Sequence, residues 1–80
     1  MAVDRHDATL SFAFDSERRA RIVAESVRQE VDEIDGDRTR ASVDRSGATV
    51  TVDVTASDLV ALRAGVNTWS TLVSVAERVC

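Results

Sequence analysis

Eighty residues suffice for one small domain, which buries only about 60% of the surface that its unfolded chain exposes. Fourteen acidic residues against ten basic ones give a net charge of −4, which argues against tight nucleic-acid binding through a simple basic surface. One cysteine and one histidine exclude an internal disulfide bridge and a recognisable zinc ligand set. We therefore expect a single domain over residues 1–80, with no metal and no cofactor.

The composition also bears on where the protein works. No segment approaches the length of a membrane span, and the N-terminal MAVDRHDATL lacks the basic start and apolar stretch of a signal peptide. Every basic residue is arginine, and aspartate outnumbers glutamate. Such a surface is typical of proteins from salt-loving archaea, and an acidic protein from a GC-rich genome is the alternative. We expect a cytoplasmic protein without membrane contact.

The first two predicted elements are a strand and a helix. In ATLSFAF, residues 8–14, apolar and small residues alternate with the period of a strand that has one buried face. Residues 15–34 predict a helix, which either Asp15 or Ser16 is placed to cap. The apolar residues of this helix fall on one side, and they are Ala20, Val23, Ala24, Val27, Val31 and Ile34.

A hairpin and a second helix complete the chain. After a turn at Gly36, the segments RTRASVD and ATVTVDV, separated by RSG, predict two strands of a hairpin. The strand at 48–54 has the strongest β character, so we expect it in the centre of the sheet, antiparallel to both others. Either Thr55 or Ser57 is placed to cap the last helix, with Asp58 as the acid of a capping box.

The element order predicts an α+β fold. We expect a two-layer sandwich, β-α-β-β-α, with a three-stranded antiparallel sheet covered on one face by two helices. The strands carry small polar residues on the opposite face. Three strands leave two exposed edges, and their unpaired backbone groups invite another strand. We therefore expect a homodimer formed by edge pairing; the alternative is that the charges along RTRASVDRSG keep one edge solvated.

The residue types used in catalysis are poorly placed for it. The three glycines are scattered, and none opens a helix after a strand as a phosphate cradle would. His6 is expected in a frayed N-terminus before the first strand, and Cys80 ends the chain, so neither is well held as a base or nucleophile. We expect that this chain is not an enzyme by itself.

The last helix carries two apolar stripes. The stripe expected to cover the sheet consists of Leu59, Leu62, Val66, Trp69, Val73 and Ala76. The second stripe has mostly small residues in its early half, and it consists of Ala61, Ala64, Gly65, Thr68, Leu72, Val75 and Val79. Because a glycine inside a helix costs about 1 kcal/mol relative to alanine, we expect Gly65 to mark a close contact, either with a partner's helix or with the first helix of the same chain.

The segment TVDVTASDLVALRAGVNTWSTLVSV, residues 51–75, resembles the signature of the CTAG/Pcc family, the small dimerising subunit of the archaeal KEOPS complex. The matching residues are Asp58, Leu59, Leu62, Arg63, Ala64 and Asn67. The early strand LSFAF followed by a capped helix also agrees with the family. The resemblance therefore covers nearly the whole chain.

This resemblance implies a non-catalytic role in making threonylcarbamoyladenosine in tRNA, with catalysis by a separate threonylcarbamoyl transferase subunit. It implies that the protein dimerises through its sheet, docks its helices on the transferase and helps the complex to hold tRNA. The residues expected to bind the partner are Ala61, Arg63, Ala64, Gly65, Asn67, Thr68 and Leu72. Two alternatives are a dimeric adaptor of an unrelated pathway and a KH-like RNA-binding module, although the Gly-x-x-Gly loop of KH domains is absent.

Overall fold

Three strands and two helices are formed by the residues that the computed structural model describes, which are 5–31 and 39–78. The strands are β1 (His6–Ala13), β2 (Thr39–Ser46) and β3 (Thr49–Ala56). The helices are α1 (Glu17–Arg28) and α2 (Leu59–Arg78). The predicted α+β fold and its element order are confirmed. Within the described part of the chain, neither helix is both long and apolar enough to cross a membrane.

The sheet has β3 in its centre, as its sequence predicted. The strand order is β1-β3-β2, and β3 is antiparallel to both neighbours. In this register Val52 lies between Leu10 of β1 and Val43 of β2, so the apolar residues of all three strands share one face. The opposite face carries small polar residues, and there Thr9 Oγ1 donates a hydrogen bond to Asp53 Oδ1 at 2.7 Å.

The ends of β1 and β2 differ from the prediction. His6 is the first residue of β1 and pairs with Ala56, so it does not precede the strand. The hairpin turn consists of two residues, Gly47 and Ala48, instead of the expected RSG. The φ of Gly47 is 59°, and a positive φ at the first central position fits the twist of the flanking strands without a steric cost to glycine.

Helix α1 is shorter than predicted. Of the two candidate caps, Ser16 is the one used, because its side chain accepts a hydrogen bond from the Arg19 N–H at 3.1 Å. The helix ends at Arg28, where the Glu30 N–H bonds to the Val27 carbonyl in a tighter turn. Ile34 and Gly36, which were expected to end the helix and form a turn, lie outside the described residues.

Helix α2 begins with a different cap from the one expected. The Asp58 Oδ1 atom accepts a hydrogen bond from the Ala61 N–H at 2.8 Å, so Asp58 itself is the cap. Thr55 cannot fill this role because it is held in β3, which continues to Ala56. The carboxylate of Asp58 also lies favourably at the positive end of the helix dipole.

Both helices lie on the apolar face of the sheet and enclose one core. Its largest fully buried side chain is Trp69 of α2, which packs with the valines of β3. Helix α1 contributes four buried residues from its predicted apolar side, which are Ala20, Val23, Ala24 and Val27. The open side of each helix is therefore the only helical surface left for other molecules within the described residues.

Candidate partner-binding surface

The small residues in the first half of α2 do not all face outward. Gly65 is buried, and a Cβ atom added to it would lie 3.0 Å from Val54 Cγ1 and 3.1 Å from Thr39 Cγ2. Ala61, one turn earlier, is also buried. The close contact marked by Gly65 is therefore made with the chain's own sheet. The expectation that Gly65 meets a partner's helix, or α1, is wrong.

The sheet-facing stripe of α2 is corrected in the same region. Leu59, expected to cover the sheet, is 57% exposed, while Leu62 and Val66 are only partly buried. The side that faces the core consists of Ala61, Gly65, Trp69, Val73 and Ala76. Only two residues separate β3 from α2, and at Gly65 even a Cβ atom would lie 3.0 Å from Val54 Cγ1, so the helix runs too close to the sheet there for large side chains. Small residues therefore replace leucine on the buried side.

The remaining predicted partner residues form one surface, which we call the outer strip. Its members share the solvent side of α2, and they are Arg63, Ala64, Asn67, Thr68 and Leu72. The first four are exposed and Leu72 is half-buried. Intervals of four residues place Arg63 beside Asn67, and Thr68 between Ala64 and Leu72. The structure thus brings together five of the seven predicted residues.

The outer strip has the composition of a contact surface more than of a solvated helix face. Arg63 is its only charged residue, and it makes no ion pair within the described part of the chain. Two further apolar side chains flank the strip, with Val60 74% exposed and Val75 48% exposed. Low charge, exposed apolar groups and a single arginine are features of protein interfaces.

The two edges of the sheet differ in a way that the sequence did not indicate. The Arg28 Nη2 atom donates a hydrogen bond to the Val43 carbonyl of β2 at 3.2 Å. In a two-residue hairpin Ser46 and Thr49 form a hydrogen-bonded pair, and such pairs alternate with non-bonded ones, so the Val43 carbonyl points away from β3. Arg28 therefore occupies part of the β2 edge.

The edge of β1 carries no such contact. By the same alternation, its outward backbone groups belong to Asp7, Thr9, Ser11 and Ala13. No side chain of residues 5–31 or 39–78 donates to or accepts from these groups. The free edge of the sheet is thus β1, and its side chains toward the open face are short.

The metal-ligating side chains of the described residues are not grouped. No three His, Cys, Asp or Glu side chains of residues 5–31 and 39–78 lie close enough together to hold a metal ion. His6 is at the end of β1, and Cys80 lies outside the described residues. The surfaces that stand out are therefore the outer strip and the free β1 edge.

Comparison with known families identifies the group to which these surfaces belong. The chain matches the family described as transcription factor Pcc1 over residues 7–80. A comparison with curated proteins found no match. The matched range contains the whole outer strip, all but the first residue of β1, and every other described strand and helix. The chain therefore belongs to the Pcc1 family and is a KEOPS-related subunit.

Proposed function

We propose that this protein is a non-catalytic, dimerising subunit of a KEOPS complex that supports threonylcarbamoyladenosine formation in tRNA. Its membership of the Pcc1 family supports the complex, and the outer strip of α2 is the observation that carries the proposed docking. The chemistry is carried out by the catalytic threonylcarbamoyl transferase subunit. The chain itself uses no cofactor, and it works in the cytoplasm with tRNA held by the assembled complex.

The outer strip docks on a helix of the transferase. Ala64 and Thr68 are small, so a second helix can approach to the 8–10 Å typical of packed helices. Arg63 and Asn67 supply polar contacts at the rim of this interface. Ala61 and Gly65 do not touch the partner. They allow α2 to lie close to its own sheet, which fixes the position of the outer strip.

A titration with the transferase tests this docking. Ala64→Arg places a long charged side chain at the centre of the outer strip, and burying it without a partner costs several kcal/mol. We expect this variant to stay folded and to lose binding to the transferase. Ser46→Arg introduces the same charge at the exposed end of β2, and it should bind as the unaltered protein does. Binding of Ala64→Arg with unchanged affinity would show that the strip is not the docking surface.

Pull-down of this protein from its native host distinguishes a KEOPS component from the two alternatives. Recovery of a transferase together with other protein subunits is expected for a KEOPS component. Recovery of RNA without proteins would favour an RNA-binding module, and recovery of unrelated proteins would favour an adaptor of another pathway.

The homodimer of this proposal forms through β1. Its outward backbone groups, between Asp7 and Ala13, are not bonded within the described residues, whereas Arg28 occupies the Val43 carbonyl on the other edge. A second copy can therefore add its own β1 antiparallel to the first. Two three-stranded sheets then become one continuous sheet with the helices of both copies on its apolar side.

A further inference from the structure

A row of apolar residues runs along the first half of α2, beside the outer strip. Leu59 is 57% exposed, and Leu62 and Val66 are half-buried, although all three were expected to cover the sheet. Spacings of three and four residues place them in one row along the helix. We call this row the apolar flank. Neither the core nor the outer strip accounts for its exposed part.

The apolar flank faces the β1 side of the molecule. Helix α2 contacts β1 and β3, whereas α1 lies over β2 and β3. Gly65 meets Val54 of β3 and Thr39 of β2, which fixes the rotation of α2 about its axis. Leu62 and Val66 are turned from Gly65 by about 60° and about 100° in the same sense, away from β2 and therefore toward the β1 edge.

Pairing of two copies through β1 brings their α2 helices together. Neighbouring strands are about 4.8 Å apart, so a helix that lies over β1 and β3 is about 5 Å from the two-fold axis. The α2 helices of the two copies are then about 10 Å apart, which is the distance between packed helices. Strand pairing therefore places the apolar flank of each copy against that of the other.

We propose that the apolar flanks of two copies pack against each other and determine which strand the β1 edge accepts. This inference rests on the proposed function, because it starts from the β1 dimer. An open strand edge offers backbone N–H and C=O groups, which are the same in almost every sequence, so it cannot by itself distinguish one strand from another. A strand that arrives with a matching helix flank is distinguished by its side chains.

A second copy of this chain is the occupant that the charges favour. The apolar flank and Ser70, the next residue of the row, are uncharged in a protein whose net charge is −4. Two molecules of like charge are best joined where neither carries charge. The two-fold axis makes the α2 helices antiparallel, so the same surface of both copies forms the contact. Half-buried Leu10 and Phe12 of β1 extend this shared apolar surface.

Sedimentation equilibrium measures the contribution of the apolar flank. Leu59→Gln/Val66→Gln makes two side chains polar without placing a charge in the contact, and glutamine is a good helix former. Leu62 is left unchanged because it also packs against the core. We expect the dissociation constant of the dimer to rise at least about tenfold, because the second copy no longer covers this apolar surface. Circular dichroism melting should show a folded chain.

Val60→Gln/Val75→Gln is the matched control. It makes the same kind of change at two exposed valines of α2 outside the apolar flank, and it should dimerise as the unaltered protein does. Leu59→Gln alone, at the most exposed position of the flank, should give a smaller rise in a chain that melts as the unaltered protein does. An equal rise in the control would overturn the proposal, and so would an unchanged dissociation constant in the double variant.

A peptide of residues 5–14 tests how the partner is selected. It carries the β1 strand without the apolar flank, so an excess of peptide should leave the dimer intact at concentrations at which the whole chain exchanges completely. Energy transfer between copies labelled at Cys80, the single cysteine, follows the exchange. Displacement by the peptide as readily as by the whole chain would show that the strand edge is enough, and it would overturn the proposal.

These outcomes separate the inference from the function on which it rests. A dimer whose affinity does not depend on Leu59 and Val66 refutes the role of the apolar flank and leaves pairing through β1 in place. A protein that is monomeric at every concentration refutes the dimer and the flank together. Loss of transferase binding by Leu59→Gln/Val66→Gln with an unchanged dimer would assign the apolar flank to the docking surface, and it would also overturn the proposal.

Discussion

At the scale of single residues, Gly65 sets the distance between a helix and its sheet. The sequence correctly marks it as a point of close contact, since a glycine inside a helix is otherwise unfavourable. The partner in that contact could not be read from spacing, because the distance from α2 to Val54 depends on how the chain leaves β3. The identity of the neighbour therefore required the three-dimensional structure.

Gly65→Arg and Ala64→Arg introduce the same side chain at adjacent positions, and only the first should destabilise the fold. At Gly65 the added Cβ alone would lie 3.0 Å from Val54 Cγ1 and 3.1 Å from Thr39 Cγ2, closer than van der Waals contact, and the guanidinium beyond it would be buried without a partner. We expect Gly65→Arg to unfold the domain and Ala64→Arg to melt as the unaltered protein does. Circular dichroism melting measures both. A stable Gly65→Arg protein would place Gly65 away from the sheet.

Trp69 offers a second measurement at this scale. It is fully buried, and its Nε1 has no acceptor within hydrogen-bond distance among the described residues. Trp69→Ala should lower the free energy of unfolding by about 3–5 kcal/mol. Trp69→Phe should cost less than half as much, because it keeps most of the ring and removes a donor whose burial is unfavourable. Equal losses in urea titrations would show that the Nε1 group is satisfied.

At the scale of elements, strands were easier to predict than helix faces. Alternation in β3 and β1 identifies the buried side of each strand directly, because successive strand residues point to opposite faces. In α2 the predicted stripe followed the most apolar residues, such as Leu59. In the first half of α2 the gap between helix and sheet is too narrow for large side chains, so alanine and glycine occupy the buried positions there. Hydrophobicity alone therefore placed only the second half of the helix correctly.

The cap of α2 provides the test at this scale. Asp58→Ala removes the acceptor of the Ala61 N–H and the charge at the helix N-terminus, and it should cost about 1 kcal/mol. Ser57→Ala, at the exposed neighbouring position, should change the free energy of unfolding very little. Urea titrations compare the two variants. A larger loss from Ser57→Ala would restore the cap that the sequence favoured.

At the scale of the whole molecule, two free edges were predicted, and the structure shows that they differ, because Arg28 binds one outward carbonyl of β2. The proposed dimer uses only the β1 edge. The charged β2 edge, which was the alternative considered for RTRASVDRSG, is left outside the dimer. One carbonyl of the β2 edge, that of Val43, accepts a hydrogen bond from Arg28, a residue that lies far from it in sequence. Such a contact depends on where α1 crosses the sheet, and no local pattern in the sequence indicates it.

The oligomeric state tests the β1 edge. Ser11→Pro removes an N–H that points away from β3, so it should leave the sheet intact while preventing addition of a second strand. Arg45→Pro makes the equivalent change on β2. Light scattering in molar salt should give a dimer for the unaltered protein and Arg45→Pro, and the mass of one 8.7 kDa chain for Ser11→Pro. A dimeric Ser11→Pro protein would exclude pairing through β1.

The hydrogen bond from Arg28 to Val43 has a consequence for symmetry. A sheet with two equivalent open edges can grow in both directions, and each added copy offers a new edge to the next. A sheet in which one edge is partly occupied pairs more readily through its free edge, which meets the same edge of another copy about a two-fold axis, and growth then stops. The contact between Arg28 and Val43 therefore favours a closed pair over an open fibre.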